Sequence, residues 1–191
     1  RDVAPSRGLG DVYKRQGMNS EYCNQNTFDA LQIHGGSGFM MDYPIQRYYR
    51  DARITNIYEG TTQLQVVAAI RYVTNGSYLA QMRDFEAAEV SESMKPLQAR
   101  AKAMADKYEE AVNYVKEAKD ADLHDICARH LVEMAADIIM LHLLLYNATE
   151  NAEMFEKSAR VYANFVEAEI AKHHVFVMNM TVDQLDNYRQ A

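Results

Sequence analysis

Residue types able to do chemistry are concentrated in three short strings: LQIHGGSGFMMDYP at 31–44, RYYRDARI at 47–54 and IYEGTTQLQ at 57–65. In the first, Gly35 and Gly36 expose adjacent backbone N–H groups, which suits contact with a diphosphate and equally suits the end of a helix. In the third, Glu59 stands between Tyr58 and Gly60, just ahead of Thr61, Thr62 and Gln63. A carboxylate placed there can take a proton from a substrate if its surroundings are dry enough to raise its pKa toward working pH. On residue type alone, a Glu in a short turn reads as a solvated or capping side chain. Thr61 and Thr62 read as helix caps, or as hydroxyl donors beside a helix N-terminus.

The elements that must position these strings are helical. A modestly amphipathic helix is predicted over 19–34, with Cys23, Thr27, Ala30, Leu31 and His34 on one side. Gly35, Gly36 and Gly38 stop it, and Pro44 suits the first turn of a helix over 45–51. The stretch 54–60 reads as a short extended crossing. Thr61 or Thr62 then caps a helix to about Val73, which Asn75-Gly76 ends. Arg50, Asp51 and Arg53 read as an ion-pair cluster fixing the turn.

Beyond Gly76 the texture changes. Met94, Leu97, Ala101, Met104, Tyr108, Ala111 and Val115 follow an unbroken 3-4-3-4 spacing, an apolar seam on one long helix capped by Ser93. Asp122 is placed to cap a second, with Leu123, Ile126, Leu131, Met134, Ile138, Leu141 and Leu145 as its stripe. A third helix over 151–178 carries Phe155, Ala159, Tyr162, Val166 and Ile170. Thr181 and Gln184 form a capping box before a last short helix. Three long helices with short connections imply an antiparallel bundle. The expected organisation is a non-native leader at 1–16 (RDVAPSRGLGDVYKRQ), a first helical region at 17–78 and a second at 79–191.

The three strings, in this order and spacing, resemble the end of the catalytic domain of acyl-CoA dehydrogenases. That resemblance implies an all-α fold: a helical-bundle remnant of the family's C-terminal domain, followed by an antiparallel three-helix extension of the kind some bacterial members carry. It implies oxidation of an acyl-CoA thioester to the trans-2-enoyl-CoA with FAD as cofactor, electrons passing to an electron-transfer flavoprotein. Glu59 matches the family's base, which removes the α-proton, and Tyr58 and Gly60 would line the substrate. Gln32, Ile33, His34, Gly35 and Gly36 match a segment that reaches the diphosphate half of a neighbouring subunit's FAD, so a homo-oligomer is implied. Thr61, Thr62 and Gln63 match a second flavin-contacting stretch. His34 varies among relatives and is read as packing or a backbone contact. The family's N-terminal helical domain and middle β domain have no counterpart among these residues, so this stretch is expected to be inactive alone.

Composition narrows the alternatives. The 191 residues are 48% hydrophobic and 25% charged, with a net charge of −7, which offers no basic face to nucleic acid. Two cysteines, Cys23 and Cys127, are too few for a disulfide framework, and a reduced cytoplasmic setting fits them. The apolar run at 134–146 is too short to span a bilayer, and membrane association is not expected. His173 and His174 are adjacent, and His124, His130 and His142 lack i, i+4 spacing, so no metal is expected. Two rival functions remain: an acyl-CoA oxidase, which lets oxygen reoxidise its flavin, and a non-enzymatic helical interaction module built on the 94–115 seam.

Overall fold

The computed structural model describes residues 5–58 and 60–189, with the backbone alone described at 5–16 and at 189. No strand occurs among the described residues, and the fold is all-α. The helices are α1 (Pro5–His34), α2 (Gly36–Phe39), α3 (Ile45–Ile54), α4 (Thr62–Thr74), α5 (Ser77–Glu86), α6 (Lys95–Ala118), α7 (Ala121–Glu150), α8 (Ala152–Asn179) and a short α9 (Asp186–Arg189). The chain divides into two compact units, 1–69 and 70–191. The division falls inside α4, earlier in the chain than the boundary read near Tyr78.

In the first unit α1 and α3 form an antiparallel pair, joined through α2. Helix α1 begins at Pro5 rather than at Asn19. Its leading segment lacks amphipathic periodicity, but extending an existing helix needs none, and Pro5 suits a first turn. The side chains of 5–16 lie outside the described residues. Gly38 is where α2 crosses α1. A Cβ there would come within 2.7 Å of the His34 Cβ and 2.8 Å of the Leu31 carbonyl oxygen, so packing alone demands glycine. Of the extended crossing read over 54–60, residues 54–58 are instead the end of α3 followed by turns, with Ile57 and Tyr58 N–H both donating to the Ile54 carbonyl, and Glu59 lies outside the described residues. The β-branched residues of that string are outvoted by continuing helical hydrogen bonds. Arg50, Asp51 and Arg53 are exposed and form no salt bridge among the described residues. Residues one or two apart on a helix point to different sides, and the pair three apart carries like charge.

The second unit is a three-helix bundle of α6, α7 and α8, with α5 packed on α6 and α7. Every residue of the 94–115 seam is buried, as are Leu131, Met134, Ile138, Leu141 and Leu145 of α7 and Ala159, Val166 and Ile170 of α8. Helix α7 is long and apolar enough, by length and composition, to cross a membrane, but 67% of its most apolar window is buried within the chain. Cys127 lies in this core, where burial pushes its thiol up to about 11, whereas Cys23 on α1 is exposed.

The caps shift slightly from their expected positions. Asp120, not Asp122, accepts from the Leu123 N–H at 2.8 Å, because Asp120 has the extended backbone a cap needs and Asp122 is already in the first turn. Met94 occupies the N-cap of α6 in place of Ser93, with no side-chain bond. Asn151 caps α8, and the Thr181–Gln184 capping box forms as read.

Candidate functional site

The loop around the candidate base is held from beneath by one side chain. The Asn24 amide on α1 lies 3.0 Å from the Ala52 carbonyl oxygen and 3.0 Å from Asn56 Oδ1, donating to both, with Thr55 Oγ1 at 3.3 Å. The Thr55 hydroxyl donates to the same Ala52 carbonyl at 2.6 Å. At the start of α4 the Thr62 N–H donates to the Asn56 carbonyl at 3.3 Å. Asn24 was missed in the sequence. Its only signal is a residue type disfavoured in helix interiors, because its side chain competes for backbone groups.

Within that loop, Glu59 lies outside the described residues. Its neighbours define the setting. Tyr58 is exposed, as are Ile54 and Ile57 before it and Leu64 after it. Gly60 has φ +100°, which L side chains rarely adopt, and a Cβ there would meet Gln65 Nε2 at 3.2 Å. Its backbone therefore asks for glycine before any ligand is considered.

The two threonines divide their tasks. Thr61 Oγ1 accepts from the Leu64 N–H at 3.4 Å and so caps α4. Among the described residues Thr62 Oγ1 is buried without a hydrogen-bond partner. An orphaned buried hydroxyl at a helix N-terminus costs about 1–3 kcal/mol unless something outside the chain meets it. Gln63 is exposed.

The Gly35–Gly36 turn sits at the other end of α1. Gly35 takes φ +59° and its N–H donates to the Gln32 carbonyl at 3.1 Å. His34 Nδ1 is 2.9 Å from the Ala30 carbonyl oxygen, and its ring meets Tyr43 edge-on at 6.4 Å. A Cβ at Gly36 would meet nothing within 4 Å, and its φ is not in the left-handed region. Neither packing nor backbone strain explains glycine at 36. Gln32 and Ile33 beside it are exposed, Ile33 by 85%.

These two candidate cofactor regions are not brought together. Gly17 of α1 lies against the first turn of α4, where a Cβ built on it would be 3.7 Å from Gln65 Cβ. At 1.5 Å per residue, the 17-to-35 stretch of α1 puts roughly 27 Å between the Thr61–Thr62 end and the Gly35–Gly36 end. One chain therefore cannot use both regions on the same end of one ligand.

The comparisons with known proteins decide the family. Residues 17–73 match the family described as "Acyl-CoA dehydrogenase, C-terminal domain", and residues 74–185, more than half the chain, match "Acyl-CoA dehydrogenase C terminal". The chain belongs to the acyl-CoA dehydrogenase family. Among curated relatives, an acyl-CoA dehydrogenase of Bacillus subtilis is 49% identical over 49 residues, covering 26% of this chain and 13% of that protein. The caffeyl-CoA reductase–Etf complex subunit CarC of Acetobacterium woodii is 52% identical over 46 residues, covering 24% of this chain and 12% of its own. The chain thus spans only about an eighth of the length of these curated relatives. A crystal structure of an acyl-CoA dehydrogenase family protein from Porphyromonas gingivalis superposes with a TM-score of 0.57 at 36% identity, covering 60% of this chain and 98% of that one.

Among the described histidines, His142 and His173 are buried. His142 stacks on Phe85 at 5.8 Å with its Nε2 lacking a hydrogen-bond partner, and burial pushes its pKa down to about 4. His173 lies beside His130 and Glu133, and burial again pushes it down to about 4. Counting ligand spacings along a single helix cannot see this last cluster, because it spans α7 and α8.

Proposed function

We propose that this chain is the C-terminal part of an FAD-dependent acyl-CoA dehydrogenase that converts an acyl-CoA thioester to its trans-2-enoyl-CoA. The observation that carries the reading is the family match over residues 17–73, which includes the IYEGT string, together with the ties that Asn24 and the Thr62 N–H make to the residues flanking it. Glu59 is the base, and Tyr58 and Gly60 line the thioester. The rest of the enzyme would supply the dry surroundings that a carboxylate base requires. Oxidation of the thioester needs a proton accepted at Glu59 from the α carbon as a hydride departs from the β carbon.

FAD, when bound, supplies the hydride acceptor. Two features of this chain fit it. The Thr62 hydroxyl at the α4 N-terminus, unpartnered among the described residues, offers a polar contact beside positive helix-dipole charge, with Thr61 and Gln63 flanking it. The open backbone at Gly35–Gly36, flanked by Gln32, Ile33 and His34, leaves room for a diphosphate that no side chain blocks. Their separation along α1 supports a homo-oligomer in which each chain uses one region on its own flavin and the other on a neighbour's. An electron-transfer flavoprotein is the electron partner, a reading that the Etf-complex relative supports. The two free cysteines favour a cytoplasmic setting.

The name of that relative, a caffeyl-CoA reductase complex subunit, favours one second reading, in which the same site runs in the reducing direction. The test for both uses the full-length enzyme under anaerobic conditions. Saturated acyl-CoA should bleach the flavin, and Glu59→Gln should slow bleaching about 10²- to 10⁴-fold while FAD stays bound. Bleaching of the Gln variant at the parent rate would remove Glu59 from the mechanism. Flavin that resists saturated acyl-CoA but, once reduced, is reoxidised by enoyl-CoA would favour the reductase.

A further inference from the structure

The bundle holds a cluster that the dehydrogenase reaction does not use. His130 and Glu133 stand one turn apart on α7, and His173 faces them from α8. The Nδ1 atoms of His130 and His173 are 2.8 Å apart, and His173 Nε2 is 3.3 Å from Glu133 Oε2. Glu169, one turn before His173 on α8, brings its Oε2 to 3.7 Å from the same Nε2. One donor atom each from His130, Glu133 and His173 falls within 4.8 Å of the others.

We propose that His130, Glu133 and His173 bind a divalent transition metal of the zinc type, as a structural clip between α7 and α8. Two imidazoles and a carboxylate are the ligand types such ions take. Donor atoms around a tetrahedral zinc stand about 3.3 Å apart. The 2.8 and 3.3 Å separations end on opposite nitrogens of the His173 ring, so only one of them belongs to a single donor set; one donor atom from each residue lies within 4.8 Å of the others, and the side chains must close by up to about 1.5 Å around an ion. Glu169 is placed to take the fourth position once released from its ion pair with Lys172.

The surroundings hold these side chains ready. Arg129 Nε donates to Glu133 Oε1 at 2.7 Å, which leaves Oε2 directed at His173. The His130 ring stacks on Phe176 with centroids 3.9 Å apart. Partners of this kind orient metal ligands and tune their affinity. His173 is buried while the Glu133 side chain remains 18% exposed, so the cluster is enclosed on the bundle side and reachable from the solvent side. The competing arrangement is a plain hydrogen-bond chain, Glu133 to His173 to His130, with no ion.

The experiment strips the 191-residue chain with EDTA, then titrates Co²⁺ and Zn²⁺ while following visible absorption and thermal unfolding. Cobalt should give ligand-field bands from one bound ion, zinc should displace it, and zinc should raise the melting temperature, since a ligand of the folded state stabilises it. His173→Gln and Glu133→Gln should each weaken binding at least about tenfold. His124→Gln, on the same helix but outside the cluster, should leave binding unchanged. Helical circular dichroism checks folding, and Glu133→Gln at the rim serves if His173→Gln does not fold. Absent cobalt bands, a melting temperature indifferent to zinc, or undiminished binding in the folded variants would overturn the proposal and leave the hydrogen-bond chain.

Discussion

Residues 70–191 and residues 17–69 treat their apolar side chains in opposite ways. The bundle hides Met94, Met104, Leu131, Ile138, Leu141 and Ile170 almost completely. The first unit leaves Phe28, Ile33, Phe39, Met41, Tyr48, Ile57 and Leu64 in solvent, Met41 by 87%. Both have ordinary helix-forming sequences. The difference is that three long helices can cover one another, whereas a hairpin of helices around a glycine turn can cover only one of its faces. Exposed apolar side chains gathered this densely mark a surface made to be covered by other protein or ligand. The unit with the three strings is therefore the one that leaves more of its large apolar side chains uncovered within the chain.

The largest expected effect tests that contrast directly. Met104→Ala should destabilise the chain by about 2–5 kcal/mol in thermal or urea unfolding, while Met41→Ala should change it by less than about 0.5 kcal/mol. Similar losses at the two methionines would show that the 17–69 unit has a filled core after all.

Acid should act on the bundle next. His142 has its pKa lowered to about 4 against an ordinary value of 6.5, so between those values the unfolded chain binds more protons than the folded one. Stability should fall as pH drops from about 6.5 to 4, by an amount on the order of 2–3 kcal/mol for this residue. His142→Phe should flatten that part of the stability-versus-pH curve, and an unchanged slope would show that His142 does not contribute to it.

In the first unit the expected weak point is polar. Asn24→Ala removes the donor beneath the 55–62 loop and should cost about 1–3 kcal/mol locally, because the Ala52 carbonyl and Asn56 lose a partner. Amide exchange at Thr62 should quicken in that variant, with the bundle amides unchanged.

The smallest effect is on the bundle surface. Glu109 pairs with Arg83 at 2.7 Å, alongside Asp106 and Glu86, so it is not the simply solvated residue its helix position suggests. Glu109→Ala should cost up to about 1 kcal/mol and Lys102→Ala less than about 0.5 kcal/mol, as read by thermal melts with and without salt.

What was legible in the sequence follows from the range of each interaction. The seams of α6, α7 and α8 could be read because a 3.6-residue period is a local signal that burial rarely contradicts. Caps slipped by one or two residues, as at Asp120 and Met94, because several polar residues compete at each helix start and backbone angles choose among them. Helix α5 was overlooked because ten residues directly behind Gly76 carry too short a pattern. Residues 54–58 were misread as extended because Ile54, Thr55 and Ile57 favour strands, a preference that hydrogen bonds from the end of α3 override. The base string was legible only through family resemblance. Asn24 and the His130–Glu133–His173 cluster were not legible, since each depends on which residues of a second helix come to face it.

The placement of the two cysteines makes the molecule its own stopwatch. Cys23 sits on exposed α1, while Cys127 is sealed in the bundle with its thiolate disfavoured by burial. An alkylating reagent will therefore mark Cys23 at once and Cys127 only when the bundle breathes open. The delay between first and second label, read by mass spectrometry on the unaltered chain, times how often the bundle comes apart.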